Sequence, residues 1–403
     1  MKVLIYTYGF APIVGGAEKY VQLLAGGLAK RSPGPSGKAS VVTVVTPTPP
    51  KEFDDSQFSF KVVRQPSFLE LMRLIHESDV IQLSGACLLP LLLGSILRKP
   101  IVIEHHGYTA SCPNGLLFYE PNQSVCPDHF LAGRYRNCLK CITFKEGWLR
   151  SVESLLWSFL RRWLCQRVSV NAPITHHVSM RLRLHRSEVI YYGIPTQSVT
   201  PVPVEALSAR KNLVCFGYVG RLVPLKGLPV LVQAAKLLRD QGYSFRLKFI
   251  GDGPQRTELQ SMTKDFQLDE IVEFVGFATG DRLHSELKDV SAVIMPSIWE
   301  ETAGLSAIEQ MMRGQLVIAS NIGGLGEVVG DAGLKCKAGD ATSLADCMKH
   351  VLDHPEIIEK MGRAARARAL ALFRQDDMVD AYLKIYHDVL RYGRVLEVMA
   401  DSL

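Results

Sequence analysis

No stretch of the chain is apolar for long enough to cross a bilayer as a helix. Its most apolar segment, Ala86 to Leu97 (ACLLPLLLGSIL), falls well short of the ~20 residues a spanning helix needs and is interrupted by Pro90 and Gly94, so a core helix is expected there. Aromatic residues are few, at 8%, and neither sign of charge dominates: 46 Lys and Arg stand against 40 Asp and Glu, a net +6. That balance permits anionic ligands or an anionic membrane surface and gives no sign of a nucleic-acid partner. The first residues fit a buried strand and its turn better than a secretory leader, since after Lys2 the run VLIYTYGFA soon meets Pro12 and Gly15-Gly16, and cytoplasmic residence is expected. Nine cysteines, an odd number in 403 residues, exclude a secreted disulfide scaffold as the organising principle and fit a reducing compartment. What is present is the composition of a globular protein, 47% hydrophobic and 21% charged, long enough for two or three domains with their own cores.

Short apolar strands alternate with longer helical patterns. Val3 to Tyr8 predicts a strand and Ala17 to Lys30 a helix with Val21, Leu24 and Leu28 on one side; VVTVV at 41 to 45, DVIQL at 79 to 83 and IVIEH at 101 to 105 predict further strands. Strands apolar on both faces, each followed by a helix, imply a parallel sheet covered by helices. Between Ser187 and Arg210 the pattern breaks into TQSVTPVPV, a linker, and a second βα series runs from NLVCFGYVG to QLVIAS at 315 to 320. The expected fold class is therefore α/β, with two Rossmann-like doubly wound domains facing across a cleft. The domains are placed at 1–200, with a cysteine-bearing insertion at 108–145, and at 205–375, with a last helical segment, 376–403, crossing back to the first. Open α/β sheets bind ligands outside the carboxyl ends of their strands, so the loops after those strands are the places to look.

Those loops carry GGAEKYVQLLAGGL at the first helix, GRLVPLKG, FIGDGP, and PSIWEETAGLSAIEQMMRGQLVIASNIGGLGEVVGDAGL. Together they resemble the retaining nucleotide-sugar-dependent glycosyltransferases of family four, which have the GT-B fold; the resemblance covers nearly the whole chain and is densest from Gly217 to Lys337. It implies a hexosyltransferase that moves a sugar from a UDP- or GDP-linked donor to a glycan or lipid-linked acceptor, as in cell-surface polysaccharide or lipopolysaccharide synthesis. By the same resemblance Glu301 would hold the transferred sugar and Glu309 the ribose. Ionised carboxylates suit both tasks, since each accepts two hydrogen bonds from neighbouring hydroxyls. The amides at Gly304 and Leu305 would meet the diphosphate at a helix start, where orphan N–H groups favour anions. Arg221 and Lys226 would offset the charge that grows on the departing diphosphate. No D-x-D motif appears at a suitable strand end, and no divalent metal is expected in the chemistry.

Further positions are read from the same resemblance. Gly16 belongs to the glycine turn that approaches the donor phosphate or acceptor, although a complete G-x-G-x-x-G is absent. Phe277 follows Gly276 where the family places the base, and core packing would explain it equally. His106, in HHGYTASCP, looks like the family's histidine near the anomeric centre; Gly107 stands where many members have an aspartate, so no carboxylate is expected to tune it. His105 is expected to be structural.

Two features stand outside the donor motifs. Cys112, Cys126, Cys138 and Cys141 could hold a structural Zn²⁺ in tetrahedral thiolate coordination, but only CLKC has the close spacing typical of such sites; buried thiols, a disulfide or an iron site would also account for them. GWLRSVESLLWSFLRRWLCQRVS holds three of the four tryptophans, and Leu149, Val152, Leu156, Phe159 and Trp163 form an apolar stripe on a basic helix. Such a helix either lies on an anionic membrane at its inner face or packs in the core or between the domains. Three other functions fit parts of the pattern. A nucleotide-sugar epimerase would need further acid-base groups, a noncatalytic sugar-nucleotide binder would bind donor without turnover, and a zinc-stabilised nucleic-acid binder would leave the donor motifs unexplained.

Overall fold

The computed structural model describes residues 1–13, 15–31, 41–144, 146–196 and 213–400, and the side chains up to 391. Most of the expected linker, including the 200/205 boundary, and residue 145 at the end of the expected insertion lie outside the described residues. The chain divides into two compact units, Met1–Pro195 with Phe373–Leu403, and Thr196–Leu372. The divisions thus fall a few residues before those drawn from sequence.

The first unit contains β1 (Lys2–Thr7), α1 (Gly16–Lys30), β2 (Val41–Thr46), β3 (Lys61–Arg64), α2 (Phe68–Glu77), β4 (Val80–Ser84), α3 (Leu88–Ile96) and β5 (Ile101–His105). A hairpin of β6 (Phe118–Tyr119) and β7 (Ser124–Val125) follows, then α4 (Tyr135–Thr143), α5 (Trp148–Cys165), β8 (Val170–Pro173) and α6 (His176–Leu182). Its main sheet has the order β3-β2-β1-β4-β5-β8, and every pairing is parallel. Strands such as VIQLS in β4 are buried throughout because helices cover both faces. The same unit takes up the terminal helix found at Gln375–Ala400. Gly27 lets that helix approach α1, since a Cβ there would overlap the Val379 side chain, and Gln375 donates to the Leu23 carbonyl oxygen.

The second unit repeats the plan: β9 (Cys215–Val219), α7 (Leu228–Asp240), β10 (Arg246–Ile250), α8 (Arg256–Asp265), β11 (Val272–Gly276), α9 (Gly280–Leu287) and β12 (Ala292–Met295). It continues with α10 (Leu305–Met312), β13 (Leu316–Ser320), α11 (Gly323–Val329), β14 (Leu334–Cys336), α12 (Ala341–Asp353) and α13 (Glu356–Leu372); the terminal helix is then α14. The parallel sheet runs β11-β10-β9-β12-β13-β14. Phe216, Phe249, Leu231, Leu238, Ile294 and Ile318 form the centre of its core. Both sheets therefore have the Rossmann strand order, with the direction of winding reversing at β1/β4 and at β9/β12. Whereas β9 pairs with β10 from Cys215 to Val219, it pairs with β12 only at Phe216 and Gly217, so the ladder between β9 and β12 stops short of their carboxyl ends.

Two helices depart in part from what their sequence predicts. The apolar segment around α3 is not wholly core: Leu91 and Leu93 are buried, but Leu89, Leu92 and Ile96 are exposed, because a helix lying on a sheet buries one stripe and this one is apolar on both sides. In α5, Leu149, Leu156 and Trp163 of the stripe face outward, Val152 is half-buried and Phe159 packs on the rings of Phe130 and Tyr135; Ser151, Leu155, Ser158, Leu164 and Cys165 are the buried positions. Packing within the first unit thus covers Val152 and Phe159 of that stripe and leaves Leu149, Leu156 and Trp163 exposed.

Candidate functional site

In the second unit, three loops at the carboxyl ends of adjacent strands are laced backbone to backbone. Gly220 N–H donates to the Ile250 carbonyl oxygen at 3.0 Å, Leu222 N–H to Asp252 at 2.9 Å, and Gly251 N–H to Gly276 at 2.9 Å. Glycine is required where they cross: a Cβ on Gly251 would overlap the Gly220 carbonyl oxygen, and one on Gly253 that of Leu222. The segments GRLVPLKG and FIGDGP are thus two halves of one rigid floor. Tyr218, fully buried, donates from its hydroxyl to the Arg221 carbonyl oxygen at 2.7 Å, fixing the backbone of Arg221 while its side chain stays exposed.

Lys226 ends a short turn, Pro224–Lys226, closed by Gly227 in the left-handed region (φ 66°). A Cβ on Gly227 would overlap the Pro296 carbonyl oxygen, so this turn presses against the loop that leaves β12. The result is an ion pair: Lys226 Nζ lies 2.8 Å from Glu301 Oε2. Ser297 donates from its hydroxyl to the other oxygen, Glu301 Oε1. Glu301 is 7% exposed, and its backbone is held as well: Gly324 N–H donates to its carbonyl oxygen at 2.7 Å, and Gly323 passes so close that a Cβ there would lie 2.6 Å from it. Gly304 (φ 83°) caps α10, and Leu305 is that helix's first residue. Glu309 is half-buried on the second turn of α10; burial lowers the pKa of the neighbouring Arg313, and the Glu309 charge opposes the fall.

The structure thus brings Arg221, Lys226, Glu301, Gly304, Leu305 and Glu309 to loops and a helix start bordering the β9/β12 reversal, where ligands of doubly wound sheets bind. A cation, a buried carboxylate and the amino end of a helix meet there, an arrangement suited to a ligand carrying both hydroxyls and an anion. Ser297 and Gly323, not singled out from sequence, complete the support of Glu301; the signal available was glycine spacing alone. Phe277 is 59% exposed beside the β11 end of the same floor, which removes the core-packing reading.

In the first unit, Gly16 opens α1 and is exposed. The preceding turn wraps the Glu18 carboxylate so closely that a Cβ on Gly9 or Gly15 would overlap it. His106 follows β5. Its Nδ1 lies 2.8 Å from the Tyr192 hydroxyl, and its Nε2 lies 2.8 Å from Ser84 Oγ and 3.0 Å from Glu104 Oε2. The expectation that Gly107 leaves this histidine without a carboxylate is therefore corrected: Glu104, 1% exposed, supplies one from the strand. Burial raises the Glu104 pKa, with His106 opposing the rise. Both ring nitrogens of His106 thus have protein partners. His105 is buried with Nε2 2.8 Å from Asn171 Oδ1, and burial pulls its pKa down to about 4; it is structural.

Cys112, Cys126, Cys138 and Cys141 line one small cavity together with His129. All four are free thiols, and burial pushes Cys112 to about 11 and Cys138 to about 12. The Asn114 amide bridges two of them, accepting from Cys112 Sγ at 2.9 Å and donating to Cys141 Sγ at 3.3 Å. Among the described residues no group of three or more His, Cys, Asp or Glu is arranged to hold a metal ion.

Residues 203–368 match the family described as Glycosyl transferases group 1. A 2-deoxystreptamine glucosyltransferase of Streptomyces kanamyceticus is 35% identical over 53% of this chain and 59% of its own length, so this chain spans under two thirds of that relative. A glycogen synthase of Mycobacterium tuberculosis is 33% identical over 72% of this chain and 69% of its own length. Among solved structures, Anabaena Alr3699/HepE in complex with UDP superposes with a TM-score of 0.72 at 18% identity, covering 96% of this chain and all of that one. Sucrose-phosphate synthase from Thermosynechococcus elongatus gives a TM-score of 0.70 at 19% identity, covering 97% and 99%. These two likenesses establish the fold.

Proposed function

The chain belongs to the Glycosyl transferases group 1 family, and on that premise we propose that it transfers a sugar, with retained anomeric configuration, from a nucleoside diphosphate donor to a glycan or lipid-linked acceptor in cell-surface polysaccharide synthesis. The observation that carries the reading is the Lys226–Glu301 pair at the β9/β12 reversal, next to the start of α10. Uridine is the proposed base, supported by the UDP held in the Anabaena structure of the same fold.

In this reading the diphosphate lies between Arg221, Lys226 and the amides at Gly304 and Leu305. As the bond from the anomeric carbon to the phosphate oxygen breaks, negative charge collects on the diphosphate, and fixed cations stabilise that state more than the bound donor. Glu301 accepts hydrogen bonds from the transferred sugar, Glu309 from the ribose, and Phe277 stacks on the base. Lys226 and Glu301 hold one another in place until the donor takes up both. Gly16 approaches the donor phosphate or the acceptor, and His106 is placed near the anomeric carbon. With Arg and Lys serving the leaving group, the step is proposed to need no divalent metal.

A donor panel of UDP- and GDP-sugars tests this against a lipid extract and simple sugar acceptors, with product detection and NMR of the new linkage. The expected result is transfer with retention, insensitive to chelator, and slowed at least about 100-fold in Lys226→Ala and Glu309→Ala. Unchanged turnover in both variants would sink the donor site, and an inverted linkage would sink retention.

A further inference from the structure

Helix α5 is amphipathic the wrong way round for a helix that serves only its own core. Its buried line contains Ser151 and Ser158, whose hydroxyls donate back to the carbonyl oxygens of Gly147 and Ser154, while Leu149 is 83% exposed, Leu156 63% and Trp163 52%. These three recur every seven residues, two helical turns, and so form one line along the outer face. Trp148 and Trp157 are exposed beside it, and α3, which packs against α5, adds exposed Leu89 and Ile96. The apolar surface therefore extends across two helices, more than a scattered leucine accounts for.

Charge identifies what covers it. Arg167 continues the line from Trp163 with its guanidinium 4.0 Å from the indole centre, and Arg150 is exposed at the other end of the helix. On the neighbouring α4, Arg136 and Lys140 are exposed as well; of the acidic residues nearby, exposed Glu146 precedes α5, and exposed Glu153, on α5 itself, accepts from the Trp157 indole N–H at 3.1 Å. Arg161 and Arg162 turn inward to the carbonyl oxygens of Thr109, Ala110 and Leu182 and take no part. An apolar band rich in tryptophan with a basic rim is complementary to a bilayer interface bearing anionic headgroups, where indole rings lie at headgroup depth and cations pair with phosphate. No described helix is long and apolar enough to cross a membrane.

We propose that the α3/α5 face of the first unit docks on the surface of an anionic lipid bilayer, with Leu149, Leu156 and Trp163 entering the interface and Arg150 and Arg167 meeting headgroup phosphates. This surface is separate from the donor site and does not rest on the glycosyl-transfer reading. The full chain is tested by co-sedimentation with vesicles of phosphatidylcholine, with and without an equal part of phosphatidylglycerol, while tryptophan emission is recorded. Binding to the anionic vesicles with a blue shift is expected. Leu149→Glu/Leu156→Glu is expected to lower partitioning at least about tenfold, and Arg150→Glu/Arg167→Glu to remove the preference for anionic lipid. Both variants are expected to keep the wild-type melting temperature and donor turnover in solution, so that failure of docking and failure of the donor site are read separately. Absence of binding to anionic vesicles, equal partitioning of Leu149→Glu/Leu156→Glu and wild type, or a dimer in light scattering that the same substitutions dissociate would each overturn the proposal.

Discussion

Replacing Lys226 by alanine separates two roles that one ion pair combines. Glu301 is nearly buried, and removing its cation leaves a carboxylate whose remaining described side-chain bond comes from Ser297. Breaking a fully buried pair costs about 3–5 kcal/mol. Lys226 retains some access to water, at 22% side-chain exposure, which reduces the expected cost to about 1–3 kcal/mol. For a unit of this size that is a drop of about 3–10 °C in the melting of Thr196–Leu372. The double variant Lys226→Ala/Glu301→Gln removes the stranded charge and is expected to recover most of the loss. Turnover should not recover: a missing cation at the departing diphosphate costs about 100-fold or more, close to 3 kcal/mol of transition-state stabilisation. Differential scanning fluorimetry with and without UDP gives a readout that needs no acceptor, since ligand at ~100 Kd stabilises by about 2.7 kcal/mol and this increment should be lost in both variants. A double variant with wild-type turnover would show that Lys226 serves only as a counter-ion to Glu301 and would refute the leaving-group role.

The remaining predictions address the floor, the base, the histidine pair and the cysteines. Gly251→Ala, which forces a methyl group into the Gly220 carbonyl oxygen, should destabilise by more than about 2 kcal/mol, whereas Gly133→Ala, also at positive φ but with open space around it, should cost about 1 kcal/mol; denaturant melts compare them. Phe277→Ala should change stability by less than about 0.5 kcal/mol and raise the donor KM several-fold, and an unchanged KM would remove Phe277 from the base site. His105 is neutral in the fold down to about pH 4 but takes a proton below about 6.5 when unfolded, so stability should fall as pH drops through that window, by at most about 3 kcal/mol, and His105→Gln should flatten the slope. The zinc reading of Cys112, Cys126, Cys138 and Cys141 expects one zinc per chain by elemental analysis, with chelator lowering the melting temperature. A metal-free chain whose nine thiols all titrate in denaturant would discard it.

The two Rossmann-like sheets were legible because their strands are apolar on both faces and their helices carry a 3.6-residue period; the strand IVIEH, at 101 to 105, has the bounds expected. Several elements not read lack a period: β3 and β14 are short edge strands, VNAP in β8 has no alternation, and α11 opens on Gly323-Gly324. A glycine pair ordinarily signals a turn, and here it also lets the backbone of Gly323 press on Glu301. The same limit applies to the sites. Local spacing placed Lys226 and Glu301 on loops after strands, but their 2.8 Å contact depends on Gly227 pressing against Pro296, seventy residues along, and no local pattern encodes that. Around His106 the family comparison pointed to the residue after the histidine as the place for a carboxylate. The strand, whose alternate side chains share a face, instead supplied Glu104 two positions before it. A period of two carried one residue past the end of β5 could have found that pair. The outward turn of the α5 stripe could not have been found so, because a sequence moment gives the width of an apolar face and leaves open which side of the helix the sheet will cover.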